Sequence, residues 1–267
     1  MEVNLGTEKI GKLLRKFAIP CIISMVVNAL YNIVDQIFIG WGVGYLGNGA
    51  TNIVFPITVI CLSFALMLGD GTSAYLSLKL GEKKQKEAEK GVGSGITTGA
   101  IISVILCAII LIFLPQLLNL FGCTNALREY ALKYGGVIAI GIPFMMIGTT
   151  LNSIIRADGS PKYSMVSMVA GAVLNIILDP IFIFDWGLNM GVEGAALATI
   201  LSQFVTFVFN VAYIKRFKTI KLTKESFKPD FKVASTVAKF GISSFITQMA
   251  VVVVITVQNT IFKQCGE

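Results

Sequence analysis

The sequence predicts an all-α integral membrane protein, and three observations support this fold class. The 267-residue chain is 55% hydrophobic and only 14% charged, with a mean hydropathy of +0.77. Soluble domains carry about 25% charged residues, so this composition excludes a water-soluble globular protein. Seven apolar stretches are long enough to cross a bilayer, and most basic residues fall in alternate connections between them.

The predicted spans run over residues 17–40, 49–78, 92–114, 134–155, 163–184, 191–214 and 240–262. The first is not a cleavable signal, because it is too long, contains Asp35 and lacks a small-residue cleavage site. The second contains Gly69, Asp70 and Gly71, which predict a helix break near the cytoplasmic surface with a structural role for Asp70. In the third, Gly91, Gly95 and Gly99 form a small-residue face that lets a neighbouring helix approach closely.

The distribution of lysine and arginine predicts the orientation of the spans. Nineteen of the 22 basic residues lie before the first span or in the connections that follow even-numbered spans. The group before the first span consists of Lys9, Lys12, Arg15 and Lys16. By the positive-inside rule, we expect a multi-pass protein of the cytoplasmic membrane with its N-terminus in the cytoplasm. The net charge of +7 is therefore a topology signal and does not indicate nucleic-acid binding.

Composition also argues against several functional classes. The chain has no histidine, the commonest general base and metal ligand, and no nucleophile–base pair or HExxH motif, so we do not expect an enzyme. Five cysteines form no CxxC pair, so we predict packing roles and no metal site or cofactor. A cytoplasmic N-terminus and a seventh span without an internal lysine argue against a seven-helix receptor or a retinal protein.

The first and seventh spans begin with similar sequences. Residues 16–24 read KFAIPCIIS and residues 239–247 read KFGISSFIT, with four of nine positions identical. Six spans per copy is an even number, so the second copy enters from the same side and the repeat is parallel, as in some transporter folds. We therefore expect a six-helix lobe over 1–217, a basic cytoplasmic linker over 218–239 and, over 240–267, the first helix of an incomplete second lobe in a twelve-helix fold.

Acids inside predicted spans are the strongest functional signal, because an ionised side chain at the centre of a spanning helix costs about 2.5–3.5 kcal/mol. Asp35 lies in the first span, and Asn175 and Asp179 lie one helical turn apart in the fifth. Pro180 has no N–H, so we expect a kink and an unbonded carbonyl at Ile176. This combination predicts a site for a proton or a sodium ion.

Further polar residues share helix faces with these acids. Upstream of Asp35, Ser24, Asn28 and Asn32 recur every fourth residue, and Gln36 flanks the same face. We expect this stripe to face protein or water. The sixth span presents a weaker polar face made of Thr199, Gln203, Thr206 and Asn210.

These residues and several motifs, in order along the chain, resemble the multidrug and toxic compound extrusion (MATE) family. The matching pieces are Pro20, Val34-Asp35, Phe38-Ile39-Gly40, Leu80-Gly81, the loop from Ile155 to Lys162, Leu174 to Pro180, and Gly194 to Thr199. The resemblance implies a twelve-helix, two-lobed exporter that alternates between two openings and exchanges protons or sodium ions for small organic cations. It further implies a coupling site at Asp35, Asn175, Asp179 and, less directly, Thr199, and we expect Asn28, Asn32, Gln36 and Gln203 to line the substrate cavity.

The chain departs from the family pattern in two ways. It carries one lobe plus one helix, so we expect a C-terminal lobe to be needed for activity. The seventh span has Gln258 and Asn259 where the first has Asp35 and Gln36. Two alternatives stay open: a flippase for lipids or lipid-linked oligosaccharides, whose cavity should contain lysine or arginine, and an inactive fragment of the exporter.

Overall fold

The computed structural model describes the backbone of residues 10–266 and the side chains as far as Gln264. Lys9, part of the predicted N-terminal basic group, lies outside the described residues. Within them the regular structure is entirely helical, and all seven long helices are apolar enough to span a membrane, which confirms the predicted fold class. The helices are α1 (Ile10–Gly42), α2 (Tyr45–Gly81), α3 (Gln85–Leu120), α4 (Asn125–Ala157), α5 (Pro161–Ile183), α6 (Gly191–Tyr213) and α7 (Phe231–Gly266).

The helices form because hydrocarbon offers no partner for backbone N–H and C=O groups, so each apolar stretch satisfies its own. Two short 3₁₀ turns, Ile214–Arg216 and Lys224–Phe227, interrupt the connection between α6 and α7. Helices α2 and α4 are the most buried and pack against each other at the centre. On one side α1 packs on α5 and α5 on α6, while α3 and α7 cover the other side of α2. This arrangement places the polar residues of α1 beside those of α5.

The last helix begins earlier than the apolar pattern predicts. Residues 231–239, predicted as the end of the linker, form the first turns of α7. Asp230 caps this helix, because its Oδ1 accepts the backbone N–H groups of Lys232 at 2.9 Å and Val233 at 3.2 Å. Hydropathy locates the apolar part of a helix and misses a polar extension of this kind.

The predicted helix break in the second span is wrong, because α2 is continuous through Gly69, Asp70 and Gly71. Glycines on α2 and α7 instead let these two helices approach each other closely. A Cβ on Gly71 would overlap the carbonyl group of Val237 on α7, and a Cβ on Gly241 of α7 would overlap that of Met67 on α2. The two backbones are therefore in direct contact where α2 and α7 cross.

The predicted small-residue face on α3 is confirmed. Gly91 lies against the ring of Tyr75, and Gly95 lies against Thr72, both on α2. A Cβ at either position would overlap these side chains. Gly99 is less crowded, since a Cβ there would lie 3.7 Å from the nearest atoms. Close approach of α3 to α2 thus depends mainly on the first two glycines.

The connections rich in lysine and arginine meet at one end of the bundle, which we call the basic end. A hydrophobic cluster joins them there, with Leu76 of α2, Val92 of α3, Ile155 of α4, Tyr213 of α6 and Ile220 of the following connection all buried. The basic groups predicted to share one side of the membrane therefore share one end of the fold.

Asp158, in the turn between α4 and α5, fixes the chain at the basic end. Its carboxylate is 1% exposed and accepts hydrogen bonds from the Tyr213 hydroxyl at 2.7 Å and from the backbone N–H groups of Lys218 and Thr219 at 2.9 Å. The Thr219 hydroxyl also donates to it, at 2.6 Å. These bonds satisfy a buried charge and tie the α4–α5 turn to the segment that follows α6.

Candidate functional site

The structure brings together the three residues that the sequence predicted as an ion site. Asp35 on α1 is 7% exposed, and Asn175 and Asp179 on α5 are fully buried. Asn175 and Asp179 lie one turn apart, and the Asn175 Nδ2 donates to Asp179 Oδ1 at 3.0 Å. Helix α5 continues past Pro180 to Ile183, so the proline does not end the helix.

Close packing between α1 and α5 holds the two acids side by side. A Cβ on Gly42 would overlap the Ile183 side chain, and the rings of Phe38 and Phe184 meet edge to face with centroids 6.1 Å apart. Asp35 lies about two turns before Gly42, and Asp179 about one turn before Ile183. The carboxyl groups of Asp35 and Asp179 are within hydrogen-bonding contact of each other. Such a bond requires a proton on one of them.

Gln36 links this pair of acids to α2. Its Nε2 donates to Asp35 Oδ2 at 3.4 Å, and its Oε1 accepts from the Thr51 hydroxyl at 3.2 Å. The amide of Gln36 thus supports the Asp35 carboxylate, and its predicted place in the substrate cavity stays a prediction. We call Asp35, Gln36, Asn175 and Asp179 the carboxylate cluster.

Three buried oxygen atoms of the carboxylate cluster have no hydrogen-bond partner in the structure. They are Asp35 Oδ1, Asn175 Oδ1 and Asp179 Oδ2. Buried polar atoms are nearly always paired, and an unpaired carboxylate oxygen away from water is costly. All three are acceptors, which a proton or a small cation can satisfy.

Two tyrosines near the acids were missed by the sequence analysis. Tyr31 on α1 and Tyr134 on α4 both interact electrostatically with Asp35 and Asp179, and Tyr134 is only 9% exposed. Tyrosine counts as hydrophobic in an apolar pattern, which hid both. The spacing of four residues between Tyr31 and Asp35 could have revealed the first, since it places both on one helix face. The sequence around Tyr134 contains no signal that this residue lies near Asp35 of α1.

Among the described residues, no hydrogen bond joins the other predicted site residues to the carboxylate cluster. On α1, Asn28 and Asn32 are exposed, and the Asn32 amide donates to the Asn28 carbonyl at 2.6 Å. Within the described residues, no hydrogen bond joins Thr199 to the cluster; its carbonyl accepts from the Ser202 hydroxyl at 2.7 Å. Gln203 is half-buried beside Gly141 of α4, where a Cβ would lie 3.4 Å from its Oε1. Their predicted roles stay predictions.

Asp70 joins three helices near the basic end. Its Oδ1 accepts from the Ser153 hydroxyl of α4 at 2.9 Å, and its Oδ2 accepts from the Ser244 hydroxyl of α7 at 2.7 Å. Arg156 donates to Ser153 Oγ at 2.9 Å, which brings a positive charge close to the same group. Asp70 therefore fastens α7 to α2 and α4.

A lobe of spanning helices with buried, incompletely satisfied acids is typical of a membrane transporter. Comparison with known proteins gives the family: a MatE family profile matches residues 20–181. The chain belongs to the MatE family, whose members are multidrug and toxic compound extrusion (MATE) transporters.

The relatives are multidrug exporters about twice as long. The chain is 28% identical over 244 residues to the multidrug export protein MepA of Staphylococcus haemolyticus, covering 90% of this chain and 53% of that protein. It is 29% identical over 236 residues to MepA of Staphylococcus aureus, covering 88% and 52% respectively. The chain thus spans about half the length of the curated relatives it matches.

Solved structures share the fold. The MATE multidrug transporter DinF-BH, in complex with R6G, aligns with a TM-score of 0.91 at 37% identity, covering 98% of this chain and 59% of that one. An outward-facing MATE family transporter of the MOP superfamily aligns with a TM-score of 0.81 at 29% identity, covering 88% and 52%. The chain therefore shares its seven-helix fold with about half of each of these transporters.

Proposed function

We propose that the protein built on this lobe is an antiporter that exports small organic cations, and that the carboxylate cluster binds the coupling ion. The observation that carries the proposal is the group of three unpartnered buried oxygens on Asp35, Asn175 and Asp179. The multidrug export function of the MepA relatives supports the transport class.

The geometry favours a proton as the coupling ion over sodium. The Asp35 and Asp179 carboxyl groups are close enough to share a proton through a hydrogen bond. Two carboxylates at such a distance repel each other when both are ionised. One proton removes this repulsion and satisfies an oxygen, whereas a metal cation needs a cage of several oxygens at matched distances.

The position of the cluster supports entry of the ion from the external side. Asp179 lies about five turns beyond Pro161, where α5 begins at the basic end. Five turns correspond to about 27 Å, most of a hydrocarbon core about 30 Å thick. With the basic end in the cytoplasm, the cluster is nearer the external surface, and the external solution supplies the proton.

The charge of the carboxylate cluster couples ion binding to substrate binding. With both acids ionised, the lobe carries negative charge that favours a lipophilic cation, and proton binding removes that charge and weakens the attraction. The ion must prefer one conformation, because a proton bound equally well in both would shift nothing. A second lobe supplies the opposite wall of the cavity, and alternating access requires both.

Transport in everted membrane vesicles tests the proposal. An acid lumen should drive uptake of ethidium into vesicles that contain the protein, and a sodium-loaded lumen at uniform pH should drive little. Asp35→Asn keeps the size of the side chain but removes the titratable group, so gradient-driven uptake should be lost.

The matched control is Asp185→Asn, which makes the same charge change at an exposed position and should transport like the original protein. Equal uptake by Asp35→Asn and the original protein would contradict the assignment of the cluster. Ethidium uptake driven as strongly by a sodium gradient as by a pH gradient would contradict the proposal that the coupling ion is a proton.

A further inference from the structure

At the basic end, between the start of α5 and the segment after α6, lies a cavity of about 340 Å³. Four cationic side chains line it: Lys16 of α1, Lys162 of α5, Arg216 in the 3₁₀ turn after α6, and Lys218 two residues further on. They come from three parts of the fold that are far apart in sequence. The tertiary structure brings these side chains together, in a cavity that lies far from the carboxylate cluster.

Among the described residues, no acidic side chain pairs with these four positive charges. Within the residues that the structure describes, no carboxylate lines the cavity, and no ion pair engages the side chains of Lys16, Lys162, Arg216 or Lys218. Asp158 is close in sequence, but its carboxylate is buried and already accepts four hydrogen bonds. The cavity therefore has a strong excess of positive charge.

The floor of the cavity also favours an anion. Ser160 and Pro161 line it, and they stand at the N-terminus of the 23-residue helix α5, where the backbone carries partial positive charge. The Ser160 side chain does not cap this helix. Its Oγ instead lies 2.6 Å from the oxygen of the Tyr213 hydroxyl, whose single hydrogen is donated to Asp158.

From these observations we infer that the cavity binds a negatively charged phosphate group, and that an anionic phospholipid headgroup supplies it. Arginine and lysine are the usual ligands of phosphate, and basic pockets between spanning helices on the cytoplasmic side bind such headgroups. The volume is large enough for a phosphate and a neighbouring glycerol.

The surroundings of the cavity favour a lipid as the source. Tyr163 and Tyr213 line it, and tyrosine is enriched at the depth of lipid headgroups. One turn further into the bundle, Ile19 of α1 and Val166 of α5 are each about half exposed. These side chains give acyl chains an apolar surface directly below the cationic groups, which a soluble phosphate compound would not need.

Lipid binding by the purified 267-residue chain in a neutral detergent tests the inference, with native mass spectrometry as the readout. Phosphatidylglycerol should bind, and phosphatidylcholine, which carries no net charge, should bind much more weakly. The double variant Lys162→Gln, Arg216→Gln should lose most of the phosphatidylglycerol binding, at least about tenfold in apparent affinity for two charges removed.

The matched control is Lys215→Gln, Lys221→Gln, which removes the same charge from exposed positions outside the cavity and should bind like the original chain. Lys162→Arg, Arg216→Lys keeps the charge and should retain binding, which separates loss of charge from loss of folding. Thermal unfolding without lipid checks that each variant is folded.

Glycerol 3-phosphate distinguishes the two sources of phosphate. If glycerol 3-phosphate competes only weakly with phosphatidylglycerol for binding, the ligand is a lipid. If glycerol 3-phosphate competes as effectively as short-chain phosphatidylglycerol, the cavity is a phosphate site for a soluble ligand, and the lipid assignment is wrong. Equal binding of phosphatidylglycerol by the cavity variant and the control variant would overturn the inference.

Discussion

Asp35 and Asp179 occupy buried positions that ordinary packing does not explain. A structural acid normally has every oxygen bonded, as Asp158 does with four donors and Asp70 with a serine on each oxygen. Asp35 and Asp179 each keep one oxygen without a partner. This contrast within one chain supports the proposal that Asp35 and Asp179 bind an ion, whereas Asp158 and Asp70 hold the fold together.

Asp179→Asn should leave the fold intact and remove function. The amide has nearly the same shape, and replacing an acid in this cluster removes electrostatic repulsion and a desolvation cost, so stability should rise or change by less than about 1 kcal/mol. Thermal unfolding in detergent measures the stability, and ethidium uptake measures the function. Uptake that survives in Asp179→Asn, or a large loss of stability, would contradict an ion-binding role.

At the scale of elements, α7 is held to the first six helices by contacts that local sequence does not encode. Gly71 and Gly241 let the backbones of α2 and α7 touch, and Ser244 donates to Asp70 across the same crossing. At the start of α7, Asp230 caps the helix and pairs with Lys90 of α3. In this chain, α7 therefore packs closely on α2 and α3.

Gly241→Ala should weaken this crossing. The added Cβ would overlap the Met67 carbonyl group, a backbone atom that cannot rotate away, and overpacking of this kind costs about 1–3 kcal/mol. Denaturant unfolding measures the change. The control is Gly136→Ala, since that position on α4 has no atom within 4 Å of a new Cβ. Equal effects of the two substitutions would show that the crossing is looser than described.

Asp230 should make the anchoring of α7 sensitive to acid. Lys90, and then the backbone N–H of Val233, holds the pKa of Asp230 below its ordinary value. A lowered pKa in the folded state means that this contribution to stability is complete above the ordinary carboxyl pKa, about 3.9. It is lost as the pH falls through the lowered value.

Thermal unfolding measured against pH should show this loss in the original chain. Asp230→Ala should be less stable near neutral pH and should lack this component of the acid dependence. The same acid dependence in Asp230→Ala would assign the effect to other carboxyl groups.

At the scale of the whole molecule, the sequence predicts what depends on hydrophobicity and on charge. Seven spans, the sharing of one end by the basic connections and the interior position of Asp35 and Asp179 follow from the cost of polar groups in hydrocarbon. The grouping of the two acids in one site was implied by the family resemblance. What it misses depends on tertiary contacts. Tyr134 approaches the acids from a different helix, and Gly71 opens a helix crossing where a helix break was expected.

The two charged regions give the lobe a polarity along the membrane normal. Cationic side chains gather in a cavity at the basic end, while the unpartnered acids lie about five turns away along α5. This arrangement keeps the charges that we propose to bind a lipid headgroup apart from the acids that we propose to bind the coupling ion. Neutralising one region should therefore leave the other intact, with headgroup binding unchanged in Asp35→Asn.

The measurement that tests the central claim most directly is carbodiimide labelling of the 267-residue chain, with each modified carboxyl located by peptide mass spectrometry. Carbodiimides attack only protonated carboxyl groups and favour apolar surroundings. If Asp35 and Asp179 exchange a proton, one of them should be labelled at low pH and protected as the pH rises, with no protection by sodium at fixed pH. Exposed Asp185 serves as the internal reference. Labelling of Asp35 and Asp179 that is absent at every pH, or that responds to sodium alone, would contradict the account.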